Sequence, residues 1–308
     1  MAGWDEFMVK SDGTILARFS KGKFSPFDII NVLIMLGVVF VMLYPLYYMA
    51  IISISAGGPV SRGEVGFYPV QLSFKAYEVI FSSAPIVQAY QNTLLYTSLG
   101  VAINLIMTGL CAYPLSRNHF YGKHIFAMLI VFTMFFDGGM IPRYLVVDSL
   151  GLLNSVWAIV LPPAINVFYM VMMRTFFQAI PEALVESAHI DGANDLKVFW
   201  KVVIPLSAPL IATMVLFYAV GHWNSFFSAL IYLNESSKFP IQLILRNIVI
   251  QGDMSAQSTE MSGVVGTMVV DQNIKYAVVM IAILPILVLY PFLQKYFVKG
   301  SMVGSLKG

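Results

Sequence analysis

The sequence has 308 residues, 58% of them hydrophobic and 11% charged, with a mean hydropathy of +0.79. Soluble domains carry about a quarter charged residues, so this composition belongs to an integral membrane protein whose first partner is the lipid bilayer. A net charge of +2 without a basic run excludes a nucleic-acid-binding role, and a lone cysteine, Cys111, excludes an intrachain disulfide.

The tail at residues 1–26 mixes acidic, basic and glycine residues and reads as a cytoplasmic lead-in. A bilayer core takes about 20 apolar residues per helix. Six runs reach that length: Phe27–Ile52, Tyr90–Tyr113, His124–Val147, Ser155–Phe177, Leu206–Leu230 and Ile274–Phe297. The first is too long for a signal-peptide core of about 7–15 residues and is expected to stay as an anchor. Six spans predict an all-α domain over residues 27–297, followed by a second cytoplasmic tail at 298–308. With both termini inside, 12 of the 18 Lys and Arg residues face the cytoplasm and 6 face out, the asymmetry expected of cytoplasmic termini.

Particular stretches depart from plain apolar helix. In the third run, Gly138, Gly139 and Pro142 predict a broken helix, with Asp137 and Arg143 near the membrane interface. The fifth run carries Tyr218, His222, Asn224, Ser225 and Ser228. On a continuous helix, Asn224 and Ser228 share one face with Gly221, while Tyr218, His222 and Ser225 share the adjacent one. Polar groups at depth need partners or water, so the stripe either lines a path or glues helices together. The interval Asn234–Asn273 reads as a large outer loop, polar and flexible from Gly252 to Gly263.

Chemistry-bearing motifs are missing. Gly22-Lys23 and Gly122-Lys123 are followed by Phe24 and His124 in place of Ser or Thr, so there is no P-loop. Neither a metalloprotease HExxH nor a nucleophile elbow occurs. The chain is therefore not expected to be an enzyme, and any energy must come from another subunit or from an ion gradient. The latter alternative, an ion-coupled secondary transporter, would call for inverted repeats and a midplane ionisable residue.

Between the fourth and fifth runs lies EALVESAHIDGANDLKVFWKVVIP, Glu182–Pro205. Pro181 suits a first helical turn, and Glu182 and Glu186 sit where the helix dipole favours acids. Gly192 interrupts the helix, Asn194 or Asp195 can cap a second one, and Pro205 is expected to end it. The expected unit is helix, turn, helix.

Glu186, Ser187, Ala188, Gly192, Val202, Ile204 and Pro205 stand at the spacing Glu-Ala-Ala, three residues, Gly, nine residues, Ile, one residue, Leu-Pro. This resembles the EAA loop of ABC importer permeases, with Ser187, Val202 and Ile204 as departures. The flanks Arg174-Thr-Phe-Phe, Ile190-Asp191-Gly192-Ala193 and Pro205-Leu-Ser-Ala-Pro209 resemble the carbohydrate-uptake branch, in particular one of the two maltose permease chains. Trp223-Asn224-Ser225-Phe226 is similar to that family's Trp-Asn-x-Phe signature.

The resemblance implies a binding-protein-dependent ABC importer permease fold in a bacterial cytoplasmic membrane, with an EAA coupling loop at residues 178–205. It implies that Glu186, Ser187, Ala188, Asp191, Gly192, Ala193, Ile204 and Pro205 engage a cytoplasmic ATPase. It further implies a second permease subunit, two ATPase subunits that carry the ATP and Mg, and an extracellular or periplasmic sugar-binding protein. Gly252, Asp253, Met254 and Gln257 occupy the position where such a binding protein docks. No cofactor is expected on this chain, and in the maltose system the partner permease holds most of the sugar contacts.

Overall fold

The computed structural model describes residues 26–254 and 273–288. Among these residues the chain is helical, with no strand and one isolated antiparallel bridge, Ser55 to Leu72. The helices are α1 (Pro26–Ser53), α2 (Gly57–Ser61), α3 (Lys75–Ser82), α4 (Ala84–Ser116), α5 (Lys123–Phe135), α6 (Met140–Ser149), α7 (Val156–Val160) and α8 (Val167–Gln178). They continue with α9 (Glu182–Ile190), α10 (Asp195–Val198), a π turn (Phe199–Val203), α11 (Ile204–Leu206), α12 (Ala208–Trp223), α13 (Phe227–Tyr232), α14 (Ile241–Met254) and α15 (Asn273–Val288).

The strut of the molecule is α4, whose 33 residues rise about 50 Å at 1.5 Å each. Its buried positions include Ile86, Ala89, Thr93, Tyr96, Gly100, Asn104, Thr108, Ala112 and Leu115, steps of three and four that form one stripe. Most of that stripe is small or hydroxylic, which lets neighbouring backbones come close. At Gly109, an added Cβ would lie 3.1 Å from the Phe199 ring. Against this stripe pack α8 and α12.

Three buried clusters lie along the strut. One joins α4, α8, the 182–206 segment and α12 through Met173, Phe177, Val198, Phe199, Val203 and Met214. Another joins α7, α13 and α14 through Ala158, Val160, Ala229, Tyr232 and Leu243. The last joins α3, α14 and α15 through Ala76, Ile80, Ile241, Ile248 and Val278.

Among the described residues, two helices, α1 and α4, are individually long and apolar enough to cross a bilayer, and two bent pairs reach that length together. The break expected in the third run is present: the run divides into α5 and α6, bent by 115°. There Gly139 adopts φ +84°, Asp137 Oδ1 accepts from the Gly139 N–H at 3.1 Å, and Arg143 pairs with Asp137 at 2.7 Å. Other expected runs differ from the observed helices.

The fourth run, expected as one helix, is α7 and α8 separated by residues 161–166, because Pro162 and Pro163 have no N–H to donate. The fifth run is likewise not one helix: α12 stops at Trp223 and α13 starts at Phe227. The expected outer loop Asn234–Asn273 also needs correcting. It contains a 3-10 turn (Ser236–Lys238) and α14, whose Ile241, Ile244 and Ile248 recur at helical spacing and are buried.

Candidate functional site

The 182–206 segment is a helix, a turn and a second helical stretch. Gly192, at φ +80°, closes α9. Its N–H reaches the His189 carbonyl at 2.9 Å, and the Ala193 N–H reaches the Ala188 carbonyl at 2.9 Å. These two bonds are a Schellman cap, and Ala188 and Ala193 pack against the same core. The spacing of Ala188, Gly192 and Ala193 is thus what a left-handed C-cap with an apolar contact demands. Asn194 then caps α10, its side chain accepting from the Lys197 N–H at 2.9 Å. His189, which the motif does not include, joins the two arms: its Nδ1 donates to the Ala193 carbonyl at 2.9 Å and its Nε2 lies 3.5 Å from Asp195.

Pro205 does not end the second arm. The backbone runs through a π turn into α11 and stops at Ser207, whose N–H bonds to Val203 and Ile204. A π turn shifts acceptors by one residue, which accommodates the missing proline donor. Beyond Ser207 the chain turns by 86° into α12.

Ser187, Ala188, Asp191 and Pro205 line one groove of about 420 Å³ with Leu184, Lys201, Val202 and Leu206. Glu186, Gly192, Ala193 and Ile204 do not line it. Glu186 is exposed and has no ion pair or hydrogen bond among the described residues, and Ile190 beside it is 86% exposed.

The base of this segment is tied to the bundle. Arg117 donates to the Phe177 carbonyl at 2.7 Å, and Arg174 donates to the Leu115 carbonyl at 3.1 Å. Each arginine caps the other helix's C-terminus, where unpaired carbonyls and the dipole favour a cation. Glu182 accepts from Asn118 at 3.3 Å and lies 3.5 Å from His119.

A second site lies halfway along α4, a cavity of about 240 Å³. Its lining includes Asn104 from α4, Ile159 from α7, Pro163 and Asn166 from the break, Tyr169 from α8, and Tyr218, His222, Ser225 and Ser228. The break at 161–166 leaves backbone groups without helical partners, and side chains across the cavity supply them. Asn104 donates to the Pro163 carbonyl, and the Asn166 N–H donates to the Tyr218 hydroxyl at 3.4 Å. His222 Nε2 donates to Asn104 Oδ1 at 2.6 Å, and Thr108 bonds to the Tyr218 hydroxyl at 2.7 Å. Non-helical backbone at membrane depth is tolerated only where protein or a water-filled cavity meets it.

Of the polar residues singled out in the fifth run, Tyr218, His222, Ser225 and Ser228 line this cavity. Asn224 does not. It is the C-cap of α12 and exposed, because the helix breaks there and the shared face with Ser228 is lost. Gly252, Asp253 and Met254 form the last turn of α14, and Gln257 lies outside the described residues. Asn104, Asn166 and Tyr169 escaped the sequence reading. The proline pair before Asn166 was the available signal.

Residues 120–302 match the family described as the binding-protein-dependent transport system inner membrane component. The chain belongs to that family. This permease is 43% identical over 283 residues to protein LplC of Bacillus subtilis (strain 168), covering 92% of this chain and 95% of the relative. It is 48% identical over 245 residues to the polygalacturonan/rhamnogalacturonan transport system permease protein YtcP of the same organism, covering 78% of this chain and 84% of YtcP.

Among solved structures, the permease is similar to a chain of a bacterial ABC transporter involved in the import of the acidic polysaccharide alginate. The TM-score is 0.81 at 34% identity, over 89% of this chain and 99% of that one. A further structure, an alginate ABC transporter in complex with a pentasaccharide-bound periplasmic protein, shares the fold at TM-score 0.55 and 15% identity, over 85% and 92% of the two chains. As a permease component, the chain is a non-enzymatic membrane part of its transporter.

Proposed function

We propose that this chain is one of two permease subunits in an ATP-driven, binding-protein-dependent oligosaccharide importer of the cytoplasmic membrane. The name of YtcP, a polygalacturonan/rhamnogalacturonan transport system permease protein, supports the substrate class. In this reading residues 27–297 form six spans with both termini in the cytoplasm, and each bent or interrupted helix pair counts as one span. The loop at 178–205 couples to one of two ATPase subunits, which bind the ATP and Mg. A second, different permease chain completes the path, and an extracellular binding protein docks near Gly252, Asp253, Met254 and Gln257.

The observation that carries this reading is the 182–206 segment. A Schellman cap, an Asn cap and a core contact hold it rigid, while its outer side presents Glu186, Ile190 and the groove lined by Ser187, Ala188, Asp191 and Pro205. A rigid element with an unpaired carboxylate and exposed apolar groups suits a protein partner that supplies a cation. Gly192, Ala193 and Ile204 act behind that surface, setting the turn and its packing. Tyr218, His222, Asn224, Ser225 and Ser228 belong to the stretch assigned to the solute path.

ATP binding closes the ATPase pair, the coupling loops move with it, and the spans rock to open the cavity outward. Hydrolysis resets them. A ligand shifts such an equilibrium only by its differential affinity for the two states, so the loop must grip firmly while the path holds solute weakly. Glu186→Arg tests the assignment in the reconstituted importer: uptake is lost while membrane insertion is retained. Normal uptake by this variant refutes the coupling role.

A further inference from the structure

The cavity at the middle of α4 divides its polar groups into two sets. Asn104 and the Tyr218 hydroxyl are spent on the broken backbone at Pro163 and Asn166 and on His222 and Thr108. The second set has no partner among the described residues: the Tyr169, Ser225 and Ser228 hydroxyls, the Asn166 amide nitrogen and His222 Nδ1. Asn166 Oδ1 is occupied, accepting from the Tyr169 N–H at 3.1 Å, so its NH2 remains free. Asn104 Oδ1 can only accept, so His222 Nε2 carries a proton and donates to it, which leaves Nδ1 facing the cavity without a partner among the described residues.

The aromatic wall is rigid as well. Tyr169 stacks on Phe217 at 5.4 Å and meets Tyr218 edge-on at 5.0 Å. Among the described residues, no Lys, Arg, Asp or Glu lines the cavity.

Resting on the importer reading, we propose that this cavity is a sugar-ring subsite on this chain itself. It reads hydroxyl groups through Asn166, Tyr169, His222, Ser225 and Ser228, and it does not read charge. Sugar hydroxyls both donate and accept, and the free set offers both. A volume of about 240 Å³ is smaller than the roughly 300–1,000 Å³ of pockets for drug-sized ligands, so it holds one ring of an oligosaccharide at a time. A carboxylate entering it finds no Lys or Arg to offset its desolvation. Acidic groups on a passing oligosaccharide therefore point away from this cavity, and selection for acid must lie outside it.

The test labels the full importer, reconstituted with its partner subunits, after Cys111→Ala and Ser225→Cys. The probes are a neutral glucosyl methanethiosulfonate and the anionic sulfonatoethyl methanethiosulfonate, and rates are normalised to Ser61→Cys at an exposed position that the importer reading puts outside. Two hydrogen bonds of ordinary strength correspond to about a thirtyfold preference for the sugar reagent. The preference should shrink when Tyr169→Phe or Asn166→Ala is added, and Ser228→Cys should repeat it. Equal rates, a preference for the anionic reagent, or no labelling at either cysteine would overturn the proposal. Uptake by Glu186→Arg is scored separately. If Glu186→Arg takes up sugar normally while sugar-selective labelling persists, the coupling reading falls and the site stands; lost uptake in Glu186→Arg with equal labelling rates removes the site alone.

Discussion

Gly100 is the position where a single methyl group reports on the cavity. In a helix interior, Gly to Ala ordinarily stabilises by about 1 kcal/mol. Here a Cβ would stand 2.5 Å from His222 Cε1 and Nε2 and 2.8 Å from Cδ2, so the ring must move. The ring is held by its 2.6 Å bond to Asn104, and displacing it leaves Asn104 Oδ1 unpaired in a buried residue. Overpacking costs about 1–3 kcal/mol and an unpaired buried polar atom about 1–3 kcal/mol. Against the helix-propensity gain, Gly100→Ala is expected to destabilise by about 1–5 kcal/mol. The assay is the apparent Tm of the purified importer at one fixed scan rate, since large membrane complexes unfold irreversibly. Adding His222→Ala removes the clash and should recover more than half of the loss, as a double-mutant cycle measures. A Gly100→Ala protein as stable as the parent, or no recovery in the double variant, refutes the close packing of His222 on α4.

Gly192 behaves differently, because nothing lies within 4 Å of its would-be Cβ and the constraint is φ +80° alone. Gly192→Val should cost about 1–2 kcal/mol of turn stability and reduce ATPase binding, while Gly192→Asn keeps more of it; co-purification of the ATPase ranks the two. Just before α7, Asn154 adopts φ +55° and accepts from the Asn234 and Glu235 N–H groups at 3.2 and 3.3 Å. Asn154→Ala should therefore cost about 2 kcal/mol or more and Asn154→Gly less, since Gly relieves the backbone strain and loses only the hydrogen bonds; apparent Tm values order them. Glu235 in the same knot is held below the usual carboxylate range, first by its hydrogen bond from Lys238 and then by Asn154. A depressed folded pKa means its contribution is present above the ordinary value of 4.5 and is lost as pH falls through the folded value. Protection of the 232–241 amides from hydrogen exchange should fall on acidification below that range, and Glu235→Gln should flatten the dependence.

Much of the local architecture was readable from neighbouring residues. The first span was expected at Phe27–Ile52 and α1 runs Pro26–Ser53, because an uninterrupted apolar run of bilayer length has one way to satisfy its backbone. The turn at Gly192 and the cap at Asn194 were equally legible, since donor and acceptor lie within five residues of each other. Hydropathy counting failed at residues 161–166 and 224–226. It averages over a window, and one proline pair or one lost helical turn scarcely moves the average.

The amino-acid sequence by itself determined that the protein is helical, membrane-embedded and built around a polar helix–turn–helix, because composition and short-range hydrogen bonding act within a turn or two of chain. The tertiary structure alone decided the cavity. Asn104 and His222 are 118 residues apart, and Tyr218 satisfies a backbone N–H 52 residues away. Only the packing of α8 and α12 on the small-residue stripe of α4 brings those groups within hydrogen-bond reach.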